Sequence, residues 1–370
     1  MSDDRIKPLV MPKWGLSMQE GRLAAWLVEE GADISVGDEI MEVETDKITN
    51  VVEAADAGRL RRRVGQEGEV YPVKALLGVL APPEVDDAAI DAFVAAYEVP
   101  AAGGDDEDTA PAHAFVDTPA GRLRHASRGD SGPHVVLIHG FGGDLDNWLF
   151  NIDDLAGAAR VHALDLPGHG QSSKDVGTGD LEALATAVLA FMDSQEIEAA
   201  HLVGHSMGGA VSAHIATTRP GRARSLTLIA SAGLGDDIDQ GYIDGFVTAA
   251  SRRDLKPVLS KLFADQALVG RRLVDDLLKY KRLDGVDAAL AKLRDGLFAD
   301  GRQKTPLAGA IAAADLPVLV IWGTEDRVIP AAHATAVPGA TVEVLPDAGH
   351  MVQMEAAPRV NELIRRHIGG

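Results

Sequence analysis

Gly204-His205-Ser206-Met207-Gly208 sets a serine midway between two glycines, after the apolar run Ala200-His201-Leu202-Val203 and before an Ala-rich stretch. A tight strand-to-helix turn of this composition exposes a hydroxyl nucleophile at the end of a strand, and the glycines keep neighbouring chain from crowding it. Serine is a poor nucleophile until a base takes its proton, so an imidazole and an orienting carboxylate should follow in the order Ser, Asp, His. Asp326 stands in Gly323-Thr324-Glu325-Asp326 after the apolar strand Val318–Trp322, and His350 in Asp347-Ala348-Gly349-His350 after Thr341–Leu345. One C-terminal histidine among 12 carries little weight alone; the Gly-His loop behind the last strand singles out His350. Glu325 and Asp347 remain open as alternatives to Asp326. Charge developing on an acyl oxygen needs donors already in place. The Met207 N–H at the helix start is one; the Phe141 N–H, just after His139-Gly140, is the second, with His139 shaping the loop. Lys47, in Glu44-Thr45-Asp46-Lys47-Ile48, offers different chemistry: an amine that could be acylated. By itself a turn lysine reads as a solvated charge.

What sets Lys47 apart is the repeat around it. Gly21-Arg22-Leu23 returns 37 residues later as Gly58-Arg59-Leu60; at the same offset Glu30-Gly31 matches Glu67-Gly68, Val36 matches Val73, and Ile40 and Val43 match Leu77 and Leu80. Short alternating segments broken by Gly and Asp turns read as strands. Two copies, neither able to bury its own face, predict a small all-β sandwich or barrel, with the Thr45-Asp46-Lys47 turn as a hairpin tip between them. Leu9-Val10-Met11-Pro12-Lys13-Trp14-Gly15-Leu16-Ser17-Met18-Gln19-Glu20-Gly21 followed by Glu44-Thr45-Asp46-Lys47 resembles the lipoyl domains of 2-oxo-acid and acetoin dehydrogenase complexes. The resemblance implies lipoate in amide linkage to Lys47. Biotin carriers flank their lysine with methionines, whereas Asp46 and Ile48 stand here. One departure is Lys74, where such domains commonly have a glycine.

Beyond residue 113 strands alternate with helical stretches, the pattern of a mostly parallel sheet. Val135–Ile138 leads into His139-Gly140-Phe141-Gly142-Gly143, Arg160–Asp165 into Leu166-Pro167-Gly168-His169-Gly170-Gln171-Ser172, and Leu226–Ala230 and Val318–Trp322 complete the set. Residues 114 to 370 resemble the α/β-hydrolase superfamily, with a helical cap expected at about 233–305. Within the cap, Arg252, Arg253, Lys256, Lys261, Arg271, Arg272 and Lys279 read as a solvated helix surface, or as contacts for coenzyme A phosphates or an acidic carrier.

Domain assignment follows: 1–80 a lipoyl-type carrier, 81–113 an acidic linker, and 114–370 the α/β-hydrolase domain. Ala75 to Gly121 holds ten acidic residues and no lysine or arginine. Ile90, Phe93, Val94 and Tyr97 fall at helical spacing inside the linker, a short amphipathic helix whose stripe packs on a domain or docks a partner. A net charge of −21 argues against a nucleic-acid partner, which needs basic surface to displace counterions. Without cysteine there are no disulfides, thiolate nucleophiles or zinc–thiolate sites, and no metal is expected. No leader or membrane-length apolar run is evident, so the expectation is a cytoplasmic protein without membrane contact.

A lipoyl domain ahead of a hydrolase-like domain resembles most closely the acyltransferase component of acetoin dehydrogenase complexes. The trimer-forming catalytic domain and the basic subunit-binding domain of other 2-oxo-acid acyltransferases are not evident. The resemblance implies acetyl transfer from lipoyl-Lys47 to coenzyme A. Its partners would be a thiamine-dependent acetoin dehydrogenase component, dihydrolipoamide dehydrogenase and a lipoate ligase. The triad alone equally serves a carrier-linked hydrolase (thioesterase or esterase) that releases the acyl group to water, and a non-catalytic carrier scaffold is the third reading. Incubation with lipoate ligase and lipoate is predicted to add one lipoyl group to the native chain and none to Lys47→Arg, read by intact mass; an equal gain by the variant would place the attachment elsewhere.

Overall fold

A computed structural model describes residues 5–14, 18–45, 49–99 and 113–369. Lys47 and the acidic run 105–108 lie outside the described residues. The chain divides into two compact units, Met1–Pro111 and Ala112–Gly370.

In the first unit, strands β1 (Lys7–Val10), β2 (Glu20–Trp26), β3 (Asp33–Ile34), β4 (Glu39–Glu44), β5 (Thr49–Glu53), β6 (Gly58–Arg63), β7 (Val70–Pro72) and β8 (Leu76–Ala81) form two four-stranded sheets. Their orders are β1-β8-β6-β3 and β5-β4-β2-β7. The repeat explains the core. Leu23 pairs with Val43 across one sheet and Leu60 with Leu80 across the other, and all four are fully buried. Ile40 and its repeat partner Leu77 fill the space between. Val36, at 68% exposure, belongs to the repeat and not to the core. Strands β4 and β5 pair from Glu39–Glu53 to Glu44–Thr49.

Gly37 and Lys74 are repeat partners, and both are left-handed, with φ of +90° and +67°. A lysine there is strained because its Cβ crowds the following carbonyl, whereas glycine is not. The expected interruption of the pattern at Lys74 is thus a change of residue without a change of turn. Helix α1 (Asp87–Ala96) begins at the cap Asp86 and buries Ile90 completely against Ile6, Leu76, Val79 and Val85. Phe93, Val94 and Tyr97 pack on the same cluster, and the Tyr97 hydroxyl donates to the Lys74 carbonyl at 2.9 Å. Arg61–Asp87 and Arg62–Asp91 ion pairs flank the helix. Of the two readings of this stripe, packing on a domain is the one seen: α1 is folded onto the first unit, its apolar side covering a patch of β8 and its neighbours.

In the second unit, β9 (Ala114–Thr118), β10 (Gly121–Arg128), β11 (His134–Ile138), β12 (Arg160–Leu164), β13 (Ala200–His205), β14 (Ala223–Ile229), β17 (Val318–Gly323) and β18 (Thr341–Leu345) make one eight-stranded sheet; β15 (Phe298–Ala299) and β16 (Arg302–Gln303) form a separate hairpin. The sheet order is β18-β17-β14-β13-β11-β12-β10-β9, parallel except where β10 meets β12 and β9. Strand β11 is buried on both faces, as a parallel strand between helical layers must be. Helices α2 (Ile152–Ala156), α3 (Leu181–Ser194), α4 (Met207–Thr218), α9 (Ala308–Ala313), α10 (Val352–Glu355) and α11 (Ala357–Ile368) accompany the sheet. Between β14 and β17 run α5 (Gln240–Thr248), α6 (Arg252–Leu259), α7 (Arg271–Lys281) and α8 (Val286–Leu297), which pack on one another. None of the described helices is long and apolar enough to cross a membrane.

Lys74→Gly should stabilise the first unit by about 0.5–1 kcal/mol, the left-handed strain removed less the freedom given to the unfolded chain. Urea unfolding of the two proteins measures this, and an unchanged or lower midpoint would refute the strain.

Candidate active site

The site grows from the end of β13. Ser206 joins β13 to α4 with φ +53° and ψ −119°, a conformation that L residues rarely hold. Its surroundings enforce it. The Ser206 N–H donates to the Ile229 carbonyl at 2.9 Å, and its own carbonyl accepts from Ala232 N–H at 3.0 Å. Neither glycine of the elbow could carry a side chain: a Cβ on Gly204 would stand 2.3 Å from the Gly208 carbonyl oxygen, and one on Gly208 2.2 Å from that of Ile138. The close approach of β13, α4 and β11 is what demands glycine.

Asp326 follows β17 and His350 follows β18, neighbouring parallel strands whose carboxyl ends lie together. His350 Nδ1 donates to Asp326 Oδ2 at 2.8 Å, with both side chains buried. Asp326 Oδ1 accepts from the Val328 and Ile329 N–H groups at 2.8 and 2.9 Å, which fixes the carboxylate and leaves the other oxygen for the imidazole. Glu325 and Asp347, the alternatives open in the sequence, are exposed. With Nδ1 carrying the proton, His350 Nε2 is the free basic nitrogen.

His205, between Gly204 and the serine, links the two halves. Its Nε2–H donates to the His350 carbonyl at 2.9 Å, and the two rings lie 4.8 Å apart. Burial holds His205 neutral, well below the usual imidazole range. The loop carrying His350 is thereby pinned against the elbow. Glu355 pins it from the other side. One carboxylate oxygen accepts from Gly349 N–H at 2.8 Å and the other from Ala264 N–H at 2.7 Å, while Met351 N–H donates to the Leu262 carbonyl at 3.0 Å. Burial pushes the Glu355 carboxyl up, against the pull of those two N–H donors. Sequence reasoning gave neither residue a role. The available signals were a histidine inside the elbow and a lone acid among Met351, Val352 and Met354.

Phe141 lies in the loop after β11 and Met207 at the first position of α4, and both are buried. His139 is fully buried and neutral, its basicity pushed down to about 4 by desolvation. Its Nε2 accepts from Leu166 N–H at 2.9 Å, so Nδ1 carries the proton and donates to the Gly140 carbonyl at 2.8 Å. Gly143 N–H donates to the same carbonyl at 3.1 Å. In a trans peptide the Phe141 N–H points opposite to that carbonyl. Asp165, fully buried at the end of β12, accepts from Leu145 N–H and Gln171 N–H at 2.8 Å each and pairs with Arg124. It holds the following loops in place, a job that its position after a strand did not disclose.

A small apolar cavity beside the elbow is lined by Leu181, Met207, Ala210 and Ala232, together with Leu297 and Phe298 from the capping segment. Of the cap's basic residues, Arg252 and Arg271 share Asp275, Lys261 pairs with Asp239 and Lys279 with Asp276. Arg253, Lys256 and Arg272 are exposed.

A family model described as the alpha/beta hydrolase fold matches residues 133–357, and one described as biotin-requiring enzyme matches residues 7–80. Among solved structures, a bacterial membrane phospholipase A is similar with a TM-score of 0.62 and 26% identity, over 70% of this chain and 86% of that one. A meta-cleavage product hydrolase shares the fold at a TM-score of 0.63 and 23% identity, over 69% and 97%. Similarity along the whole chain is of another order. The dihydrolipoyllysine-residue acetyltransferase component of the acetoin cleaving system of Cupriavidus necator is 57% identical, over 99% of this chain and 98% of that protein. The component of the same name from Pseudomonas putida is 50% identical, over 98% of this chain and all of that protein. With a carrier-type unit ahead of a hydrolase-fold unit, and identity of this degree from end to end, the chain belongs to the family of acetyltransferase components of acetoin cleaving systems.

Proposed function

We propose that the chain moves an acetyl group from a lipoyl arm on Lys47 to coenzyme A, with Ser206, His350 and Asp326 as catalytic residues and the Phe141 and Met207 N–H groups as oxyanion donors. The carrier role falls to residues 1–80 and the chemistry to 114–370, under a cap at about 233–305. The observation that carries the reading is the His350–Asp326 hydrogen bond beside the strained Ser206 elbow, in a chain that also holds a carrier fold. The β4–β5 hairpin suits a covalent arm: it closes at the Glu44–Thr49 pair, and Lys47 falls within the four connecting residues. Lipoate on Lys47 would supply the thiol that a chain without cysteine lacks.

The chain's own groups perform the rest. Ser206 Oγ attacks the thioester carbonyl while His350 Nε2 takes its proton, and Asp326 stabilises the imidazolium that results. Phe141 and Met207 hold the oxyanion. His350 then protonates the departing sulfur, leaving acetyl on Ser206. In the second half His350 takes the proton of the coenzyme A thiol, whose sulfur attacks the acetyl-serine, and returns it to Ser206 Oγ. Thioester is exchanged for thioester with little change in free energy, so the main hazard is water. The apolar contribution of Leu297 and Phe298 to the cavity beside Met207 supports its exclusion. As a component of an acetoin cleaving system the chain would work with a thiamine-dependent dehydrogenase that loads the arm, dihydrolipoamide dehydrogenase that reoxidises it, and lipoate ligase. A reducing cytoplasm suits such thiol chemistry.

The test uses lipoylated chain and S-acetyldihydrolipoamide, with and without coenzyme A, quantifying acetyl-coenzyme A and acetate. Acetyl-coenzyme A formed by the native chain and not by Ser206→Ala is the expected result; acetate alone would make the protein a hydrolase. Asp326→Asn should lower kcat by about 10⁴-fold, since the amide favours the wrong imidazole tautomer. A loss under tenfold would remove Asp326 from its role.

A further inference from the structure

Two buried side chains outside the triad grip a single peptide unit next to the proposed oxyanion donor. The Phe141–Gly142 peptide presents its N–H to His169 Nε2 at 3.1 Å, and its carbonyl accepts from the Tyr242 hydroxyl at 3.3 Å. The tautomer is settled by the partners: Nε2 accepts, so Nδ1 carries the proton, and it donates to the Pro167 carbonyl at 3.1 Å. Burial holds His169 neutral, far below its usual range, with the His139 ring and Lys174 pushing the same way. A charged imidazole would have no lone pair to offer Gly142.

The grip is supported from both sides. Lys174 donates to the His169, Gly170 and Ser172 carbonyls at 3.1, 2.7 and 2.8 Å, which locks the loop carrying His169. Tyr242 lies on α5, whose Phe246 ring covers Gly142 so closely that a Cβ there would stand 2.5 Å from it. Lys281, buried on α7, donates to the Phe246 and Val247 carbonyls at the end of α5. His139 already fixes the preceding peptide through the Gly140 carbonyl. With both peptides flanking the Phe141 Cα held, the direction of the Phe141 N–H is determined.

We propose that His169 and Tyr242 are positioning residues for the oxyanion hole, clamping the Phe141–Gly142 peptide between the loop after β12 and the cap. The inference rests on the reading above that Phe141 supplies an oxyanion donor and Ser206 the nucleophile. It makes the hole depend on the cap, since half of the clamp is carried by α5. Catalysis gains because a donor already aimed at the developing charge needs no reorganisation during the reaction.

The test uses the full chain and follows acetylation of Ser206 by p-nitrophenyl acetate in Tyr242→Phe, His169→Phe, His169→Gln and Ser206→Ala. Affinity for a trifluoromethyl ketone, which mimics the oxyanion, and the melting temperature are measured alongside. Tyr242→Phe and His169→Phe should each lower kcat by about 10- to 100-fold, less than the 10²–10³ seen when a donor is removed outright. KM should change by no more than about twofold, and affinity for the ketone should fall in parallel with kcat. His169→Gln, whose amide oxygen can accept from Gly142, should recover part of the loss. Folded variants that keep the parent kcat and ketone affinity, or that lose KM and kcat alike, overturn the clamp while leaving the triad intact. Acetylation undiminished in Ser206→Ala would remove the nucleophile itself, and the clamp with it.

Discussion

The serine at the end of β13 is held at a positive φ, and much of the second unit is arranged to keep it there. A residue in that region costs on the order of 1–3 kcal/mol and persists only where its surroundings over-determine it. Here the neighbours are β14, which accepts the Ser206 N–H, the turn after it, whose Ala232 N–H holds the Ser206 carbonyl, and β11, whose Ile138 carbonyl leaves no room for a side chain at Gly208. These strands are largely buried, so they cannot give way without opening the core. The strain lifts the hydroxyl off the sheet and leaves the Met207 N–H at the open start of α4, where an anion is welcome.

Around that point the second unit uses histidine in two ways. His139, His169 and His205 are buried and held neutral by desolvation, so each offers one donor and one acceptor in a fixed tautomer. His139 and His169 act as rigid two-ended connectors between the loops after β11 and β12, while His205 holds the loop carrying His350 through its Nε2 alone. His350 alone among the four is paired with a carboxylate, which suits the base proposed for it, since that base must become cationic. A lysine or glutamine could reach the same carbonyls, but neither offers a donor and an acceptor at opposite ends of a stiff ring.

The first unit shows a different economy. One short β segment used twice fills a core that neither copy could close, because Leu23 with Val43 and Leu60 with Leu80 meet from opposite sheets. In sequence, residues 45–48 separate the two copies, and the proposed lipoyl lysine falls among them. The adjoining helix α1 packs on β8 and belongs to the first unit.

Most of this plan was legible in the residues themselves. The repeat is visible because alternation and burial are local properties of a strand, and the elbow because glycine, serine and glycine at that spacing after an apolar strand have few other uses. Asp326 and His350 were legible as loop residues behind strands, although Glu325 and Asp347 stood equally near in sequence. Only the fold decided among those acids, by burying Asp326 against the Val328 and Ile329 N–H groups and leaving the others in solvent. His169, Tyr242, His205 and Glu355 were hidden for one physical reason. Each acts through a single hydrogen bond or pair of bonds to backbone groups 27 to 145 residues away, or, for Glu355, to one backbone group nearby and one 91 residues off. A backbone acceptor or donor has no residue type, so nothing in the sequence marks the partner; composition and spacing disclose what a side chain can do, and tertiary packing alone decides which peptide it meets.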